Sequence, residues 1–195
     1  MKIVGLTGGI GSGKSFVSKV FKQKGIAVYD SDFHAKELMN SNFKLKKAII
    51  ELFGPESYNE KGLNRLFLAS IVFSDNQKLE QLNDLVHPYV QDDFSNWILN
   101  QTGPYVIQEA AILFETGSYK KFDRKILVIA PKELRIERVV NRDGAKISEV
   151  QDRMNRQWKD KRKVELADYV VQNIDSDDTK SQVETIHQLL LEEFQ

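Results

Sequence analysis

Eight residues near the amino terminus, Gly8-Gly9-Ile10-Gly11-Ser12-Gly13-Lys14-Ser15, fit the pattern G-x-x-x-x-G-K-[ST] at every fixed position. The chemistry of that spacing is anion binding. Glycines let the backbone curl until successive N–H groups face one point, and the helix that follows adds its positive end. Lys14 would reach the outer phosphates of a nucleotide, and the Ser15 hydroxyl would bind magnesium. The backbone amides of Gly9, Gly11, Ser12, Gly13, Lys14, Ser15 and Phe16 are the expected phosphate contacts. A chance fit has odds of about one in a hundred for a chain of this size. An apolar strand before the loop and an amphipathic helix after it leave little room for a ligand-free glycine turn.

A phosphate cradle alone does not specify a reaction, but three further groups of residues narrow it. The first is Asp30-Ser31-Asp32, at the end of an apolar segment. In a parallel sheet the carboxyl ends of the strands share one edge with such a loop, so a carboxylate there can accept a proton or hold a metal-bound water. Asp also caps helices, so either aspartate could instead open the next helix. The second is Gln108-Glu109 at the end of another apolar run, the position expected of a metal-organising or substrate-facing acid. The third is a series of arginines, Arg135, Arg138, Arg142, Arg153, Arg156 and Arg162. Arg138 and Arg142 would share a helical face. Arginines on a closing lid can stabilise the charge that spreads over a transferring phosphoryl group. Because Glu133, Glu137 and Asp152 lie among them, part of the series reads equally as solvated ion pairs.

These groups need a scaffold, and the apolar pattern supplies one. Ile3–Leu6, Ile26–Tyr29, Tyr105–Ile107, Ile126–Ile129 and Tyr169–Val171 are short, near-continuous apolar runs, as in strands buried on both faces of a parallel sheet. Helical patterns alternate with them. Phe16, Val17, Val20 and Phe21 make one face with Gly25 as its stop, and Val183, Ile186, Leu189, Leu190 and Phe194 make the last. The result is an α/β three-layer domain. The long gap over 33–102 reads as a helical insertion. Leu45, Ala48, Ile49, Leu52 and Phe53 form one stripe, and Leu79, Leu82, Leu85 and Val86 form a second. A further helix would start at Pro88 with His87 just before it and continue through Phe94, Trp97 and Ile98. Gly54-Pro55 and Gly103-Pro104 mark breaks.

Composition excludes several classes. Basic and acidic residues balance at 28 each, so no net field draws the chain to nucleic acid or acidic lipid. With no cysteine, disulfides, thiolate metal sites and a cysteine nucleophile are ruled out. The amino-terminal apolar run is too short for a signal peptide and no stretch reaches membrane-spanning length, so a soluble cytoplasmic protein is expected. His34, His87 and His187 lack metal-ligand spacing; His187 is expected to be partly exposed and His87 to cap a helix, with acceptor binding as its alternative role. Trp97 is expected in the core, while Trp158 falls in the charged stretch.

With these residues assembled, the chain closely resembles the dephospho-CoA kinase family, nearly end to end. Gly5-Leu6-Thr7 with the loop, Asp30-Ser31-Asp32, Leu63-Asn64-Arg65, Val72-Phe73-Ser74-Asp75, Leu82-Asn83, His87-Pro88 and Ile112-Leu113-Phe114-Glu115 occur in the family's order. Arg138, Arg142-Asp143, Arg153, Gln157 and Ala167-Asp168 with Asn173 complete the series. The resemblance implies a P-loop NTPase fold with a five-stranded parallel sheet, a helical insertion over 33–102 and a helical lid over 135–165, within one domain, 1–195. It implies that the strand ending at Glu109 lies beside the first, and that ATP phosphorylates the ribose 3′-hydroxyl of dephospho-CoA. It makes Asp32 the general base, places Asn173 near the adenine of ATP, and seats the acceptor between core and insertion. Magnesium would sit on Ser15, with Asp30 and Glu109 reaching it through water, and Asp32, His87 and Glu109 would meet the acceptor. Two residues depart from the family pattern: Ala111 stands where proline is common, and Phe16 where a hydroxyl-bearing residue is.

Two rivals use the same cradle. Another small-metabolite or nucleotide kinase would differ only in its acceptor pocket. A nucleotide-binding switch would need a guanine-reading N-K-x-D run, and none occurs. Oligomeric state is not legible in the sequence.

Overall fold

The computed structural model describes residues 1–72 and 74–194; Phe73, one of the residues of the family resemblance, lies outside the described residues. The chain forms two compact units, one of Met1–Asp30 with Gln101–Gln195 and one of Ser31–Asn100.

The first unit is built on five strands: β1 (Lys2–Gly8), β2 (Val28–Asp30), β5 (Tyr105–Glu109), β6 (Arg124–Ile129) and β7 (Tyr169–Gln172). They pair in parallel in the order β2-β5-β1-β6-β7. The chain crosses from β1 to β2 through helix α1 (Lys14–Gln23) and leaves a gap that β5 later fills. That insertion puts Leu6 opposite Glu109 and Glu109 opposite Asp30. Helices α6 (Lys132–Asp143), α7 (Ile147–Asn155) and α8 (Asp160–Val164) lie between β6 and β7, and α9 (Ser176–Glu193) ends the unit.

Alternation along β6 shows why its apolar run is continuous. Ile126 and Val128 join a core with Val17, Phe21, Val183 and Leu190 from α1 and α9. Leu127 points the other way, to Leu113 and Phe114 with Phe122, Trp158 and Leu166 packed around them. Each fully buried Val, Leu or Phe here contributes about 1.5–3 kcal/mol relative to exposure. Leu189 is the exception to the expected α9 stripe, at 44% exposed. Helix α1 ends as its glycine signal foretells. Gly25 takes φ 81°, its N–H donates to Lys22 O, and Ile26 N–H donates to Phe21 O.

His187 departs from expectation. It lies on α9 among Val183, Ile186 and Leu190, is 8% exposed, and shares a 2.7 Å hydrogen bond with the Tyr105 hydroxyl through Nδ1. Burial, aided by the charge of Lys24, lowers its pKa, and burial raises that of Tyr105. A histidine held neutral when folded binds its proton more readily when unfolded. Its contribution to stability is therefore whole above the unfolded pKa of about 6.5 and declines as pH falls from there toward the lower folded value. The stability gap between wild type and His187→Gln should thus narrow between about pH 7.5 and about pH 5 in thermal denaturation followed by circular dichroism. A gap independent of pH would contradict this assignment.

The second unit holds α2 (Ser31–Ser41), α3 (Phe43–Phe53), the strand pair β3 (Tyr58–Asn59) and β4 (Gly62–Leu63), α4 (Arg65–Val72) and α5 (Asn76–Ile98). Leu45, Ile49, Phe53, Leu68, Val72, Val86, Val90 and Phe94 are its buried apolar residues. Asn42 caps α3 by accepting from Leu45 N–H, and Gly54, at φ 95°, ends it. The apolar pattern of this segment predicts only helices. The antiparallel β3–β4 ribbon is an addition, tied down by Tyr58 O–H donating to Met39 O and Leu63 N–H donating to Asn40 Oδ1. A second correction concerns Pro88, which stands inside one 23-residue helix and does not open a new one. Pro removes one backbone bond and crowds the preceding turn. The burial of Val86, Val90 and Phe94 on either side of it keeps the helix continuous. His87 is consequently an exposed residue in the middle of α5 and not at a helix end. Among the described residues no helix is long and apolar enough to cross a membrane.

Candidate active site

The turn between β1 and α1 is shaped by residues that leave it no side-chain room. Gly13 takes φ 90° at the cap of α1, and a Cβ there would lie 1.9 Å from Asn173 Nδ2. Gly11 takes φ 76°, and its Cβ would lie 2.4 Å from the carbonyl oxygen of Arg135. Either position would be strained by any L side chain, so the two glycines answer both a backbone and a packing demand. Within the loop, Ser12 N–H donates to Gly9 O, and Lys14 Nζ donates to Gly8 O at 3.0 Å. The lysine, half-buried, is folded back across the loop. Ser15 is exposed in the first turn of α1.

Two of the amides expected to face phosphate have partners in the fold. Ser12 N–H belongs to the Gly9 bond, and Phe16 N–H donates to Gly13 O at 3.0 Å. The reason is local: a tight loop running into a helix uses its own carbonyls as the first acceptors. Phe16 instead offers its side chain to a cavity of about 340 Å³, lined also by Gly13, Arg138, Asn173, Ile174 and Ser176. Asn173 stands just beyond β7, 5% exposed, and bonds in four directions. Its N–H donates to Ile129 O, its Nδ2 to Ser12 O at 2.8 Å; its Oδ1 accepts from Thr179 and its O from Arg138 at 3.0 Å. Arg138 and Asn173 thus wall the same recess beside the loop. Arg142, one turn further along α6, is exposed and forms a two-pronged pair with Asp143 at 2.7 and 2.9 Å. This pairing raises the pKa of Arg142 and lowers that of Asp143. The structure therefore does not bring Arg142 into the recess with Arg138.

The acids divide between the units. Asp30 and Glu109 end β2 and β5 opposite one another, on the sheet edge from which the loop also springs. Glu109 is buried and accepts from the Ser18 hydroxyl, one turn of α1 past Lys14. Asp32 is exposed in the first turn of α2, where the helix N-terminus favours a carboxylate. His87 lies on α5 of that same unit, and His34 Nδ1 pairs with Asp93 at 2.9 Å there.

Two residues the sequence reading left out of the site touch the loop directly. Arg135, 8% exposed, donates from Nε to Ile10 O, and Gln157 Oε1 accepts from Ile10 N–H, both at 2.9 Å. A signal for Arg135 existed. It stands four residues before buried Val139, on the inward stripe of α6. Trp158 next to Gln157 is likewise packed inward, with the Arg162 guanidinium 3.2 Å over its ring.

The dephospho-CoA kinase family model matches residues 2–178. A dephospho-CoA kinase of Chlorobaculum tepidum is 40% identical, over 97% of this chain and 95% of its own. One from the gamma-proteobacterium EBAC31A08 is 37% identical, over 97% and 98%. Among solved structures, a Thermus thermophilus protein superposes with a TM-score of 0.89 at 32% identity, covering 97% of each chain. A shikimate kinase of Bacteroides thetaiotaomicron, at 16% identity and a TM-score of 0.52 over 97% and 98%, shares the fold. The architecture is the α/β P-loop kinase fold.

Proposed function

Because the chain belongs to the dephospho-CoA kinase family, we propose that its β1–α1 loop holds the ATP phosphates while Asp32 deprotonates the ribose 3′-hydroxyl of dephospho-CoA. The protein is an ATP-dependent kinase of dephospho-CoA, acting in coenzyme A biosynthesis. The observation that supports the site assignment is the loop itself: glycines that admit no Cβ, and a lysine lying across them on Gly8 O.

The hydroxyl oxygen attacks the γ-phosphorus, the β–γ bridging bond breaks, and CoA and ADP result. Asp32 takes the hydroxyl proton. Lys14 leaves Gly8 O and follows the phosphoryl group, stabilising charge where it develops. Arg138 and Asn173 border the recess assigned to the adenine, with Phe16 and Ile174 as its apolar lining. Arg142 joins the phosphates by exchanging Asp143 for them. Magnesium suits this edge, since the exposed Ser15 hydroxyl and the carboxylates of Asp30 and Glu109 are hard oxygen donors. Ser15 would bind it directly and the two acids through water, and the ion would neutralise charge on the β- and γ-phosphates. His87 and Glu109 are assigned to the acceptor.

Incubated with ATP and magnesium, the protein should phosphorylate dephospho-CoA in preference to adenosine, AMP, CMP and shikimate, as read by mass spectrometry. Phosphorylation of one of the others with dephospho-CoA untouched would overturn the assignment of the acceptor.

A further inference from the structure

A phosphate loop made largely of glycine has little of its own to hold its shape. Its amides must point inward before the nucleotide arrives, or binding has to supply the ordering. In a trans peptide the C=O and the following N–H point in opposite directions, and every peptide bond in the described residues is trans. Whatever grips a carbonyl from outside therefore aims the next N–H inside.

Two carbonyls of the loop are gripped in this way. Asn173 Nδ2 holds Ser12 O, which turns the Gly13 N–H away from it. Arg135 Nε holds Ile10 O with a charged donor, which turns the Gly11 N–H away from Arg135. The other peptide of Ile10 is held with the reverse polarity. Its N–H goes out to Gln157 Oε1, which directs Gly9 O back into the loop, where it accepts from Ser12 N–H. Ile10 is thus gripped at both its amide and its carbonyl.

Arg135 and the segment that carries Gln157, which together grip Ile10, are themselves anchored. Arg135 Nη1 pairs with Asp160 at 3.0 Å, three residues past Gln157. Trp158 N–H donates to Glu115 Oε1, and Glu115 pairs at 2.7 Å with Lys163, which is fully buried. The link between α7 and α8 is in this way pinned down directly after Gln157.

We propose that Arg135 and Gln157 are positioning residues that pre-set the peptide planes around Ile10 for phosphate binding, acting through the loop and not by touching the nucleotide. The proposal rests on the reading of this loop as the ATP cradle. Gln157→Leu keeps the size of the side chain and removes the acceptor. It should weaken ADP binding by about tenfold, the scale of one lost hydrogen bond, and raise KM for ATP in step. Its kcat at saturating ATP and its KM for dephospho-CoA should stay within about twofold. Arg135→Lys, which keeps the charge but cannot hold Ile10 O and Asp160 with one rigid fork, should shift the same two constants in the same direction. Calorimetry with ADP and steady-state kinetics read both variants. An unchanged ADP affinity in Gln157→Leu, or a loss seen equally in the acceptor KM, would overturn the proposal while leaving the cradle intact. Failure of the wild type to bind ADP would remove the cradle, and this proposal with it.

Discussion

Lys14→Ala should lower kcat by about a hundredfold to a thousandfold, the usual cost of losing one donor aimed at developing charge. The lysine opens α1, and its ammonium lies 3.0 Å from Gly8 O, across the loop's mouth. Its carbonyl partner is uncharged, so the bond is readily exchanged for phosphate oxygens carrying full charge. Because charge on the γ-phosphoryl oxygens shifts during transfer, the loss should appear in kcat as well as in KM for ATP. Folding should be spared. Lys14 is half-buried and stands outside the apolar core that holds the unit together. A coupled assay of ADP release, alongside a melting curve, is the measurement. Turnover equal to wild type would remove the lysine from the reaction and with it the reading of the loop as a catalytic cradle.

Asp32→Asn should slow transfer by about a hundredfold or more while leaving ATP affinity nearly intact, if the carboxylate is the positioned base. The substitution keeps the shape of the side chain and its place in the first turn of α2. What it removes is the ability to accept a proton. A carboxylate in that turn could act instead by organising magnesium. The two roles separate on titration with the metal, since a metal-organising acid would have its loss relieved at high magnesium and a base would not. Equal rates for variant and wild type would take Asp32 out of the mechanism.

Much of this protein is legible along the chain because the deciding physics is local. Apolar runs of strand length foretold all five parallel strands, since a strand covered on both faces cannot alternate. Gly25 foretold the end of α1 because a left-handed residue closes a helix there. Pro88 shows the opposite case. The local rule for proline favours a helix start, but burial on both sides of it holds one long α5 together. His187, expected to be partly exposed, is instead an interior residue bonded to Tyr105, 82 residues away.

By itself, then, the sequence determined the phosphate loop, the alternation of strand and helix, and the kinship that names the acceptor, because spacing and residue type are properties of neighbouring positions. The tertiary structure alone decided what surrounds that loop. Ile10 meets Arg135 and Gln157 across separations of 125 and 147 residues, and Glu109 comes to lie between Leu6 and Asp30 only because β5 slots between β1 and β2. Periodicity reports which face of a segment is buried but not which distant segment buries it; strand order supplies that, and strand order is settled by packing of the whole sheet.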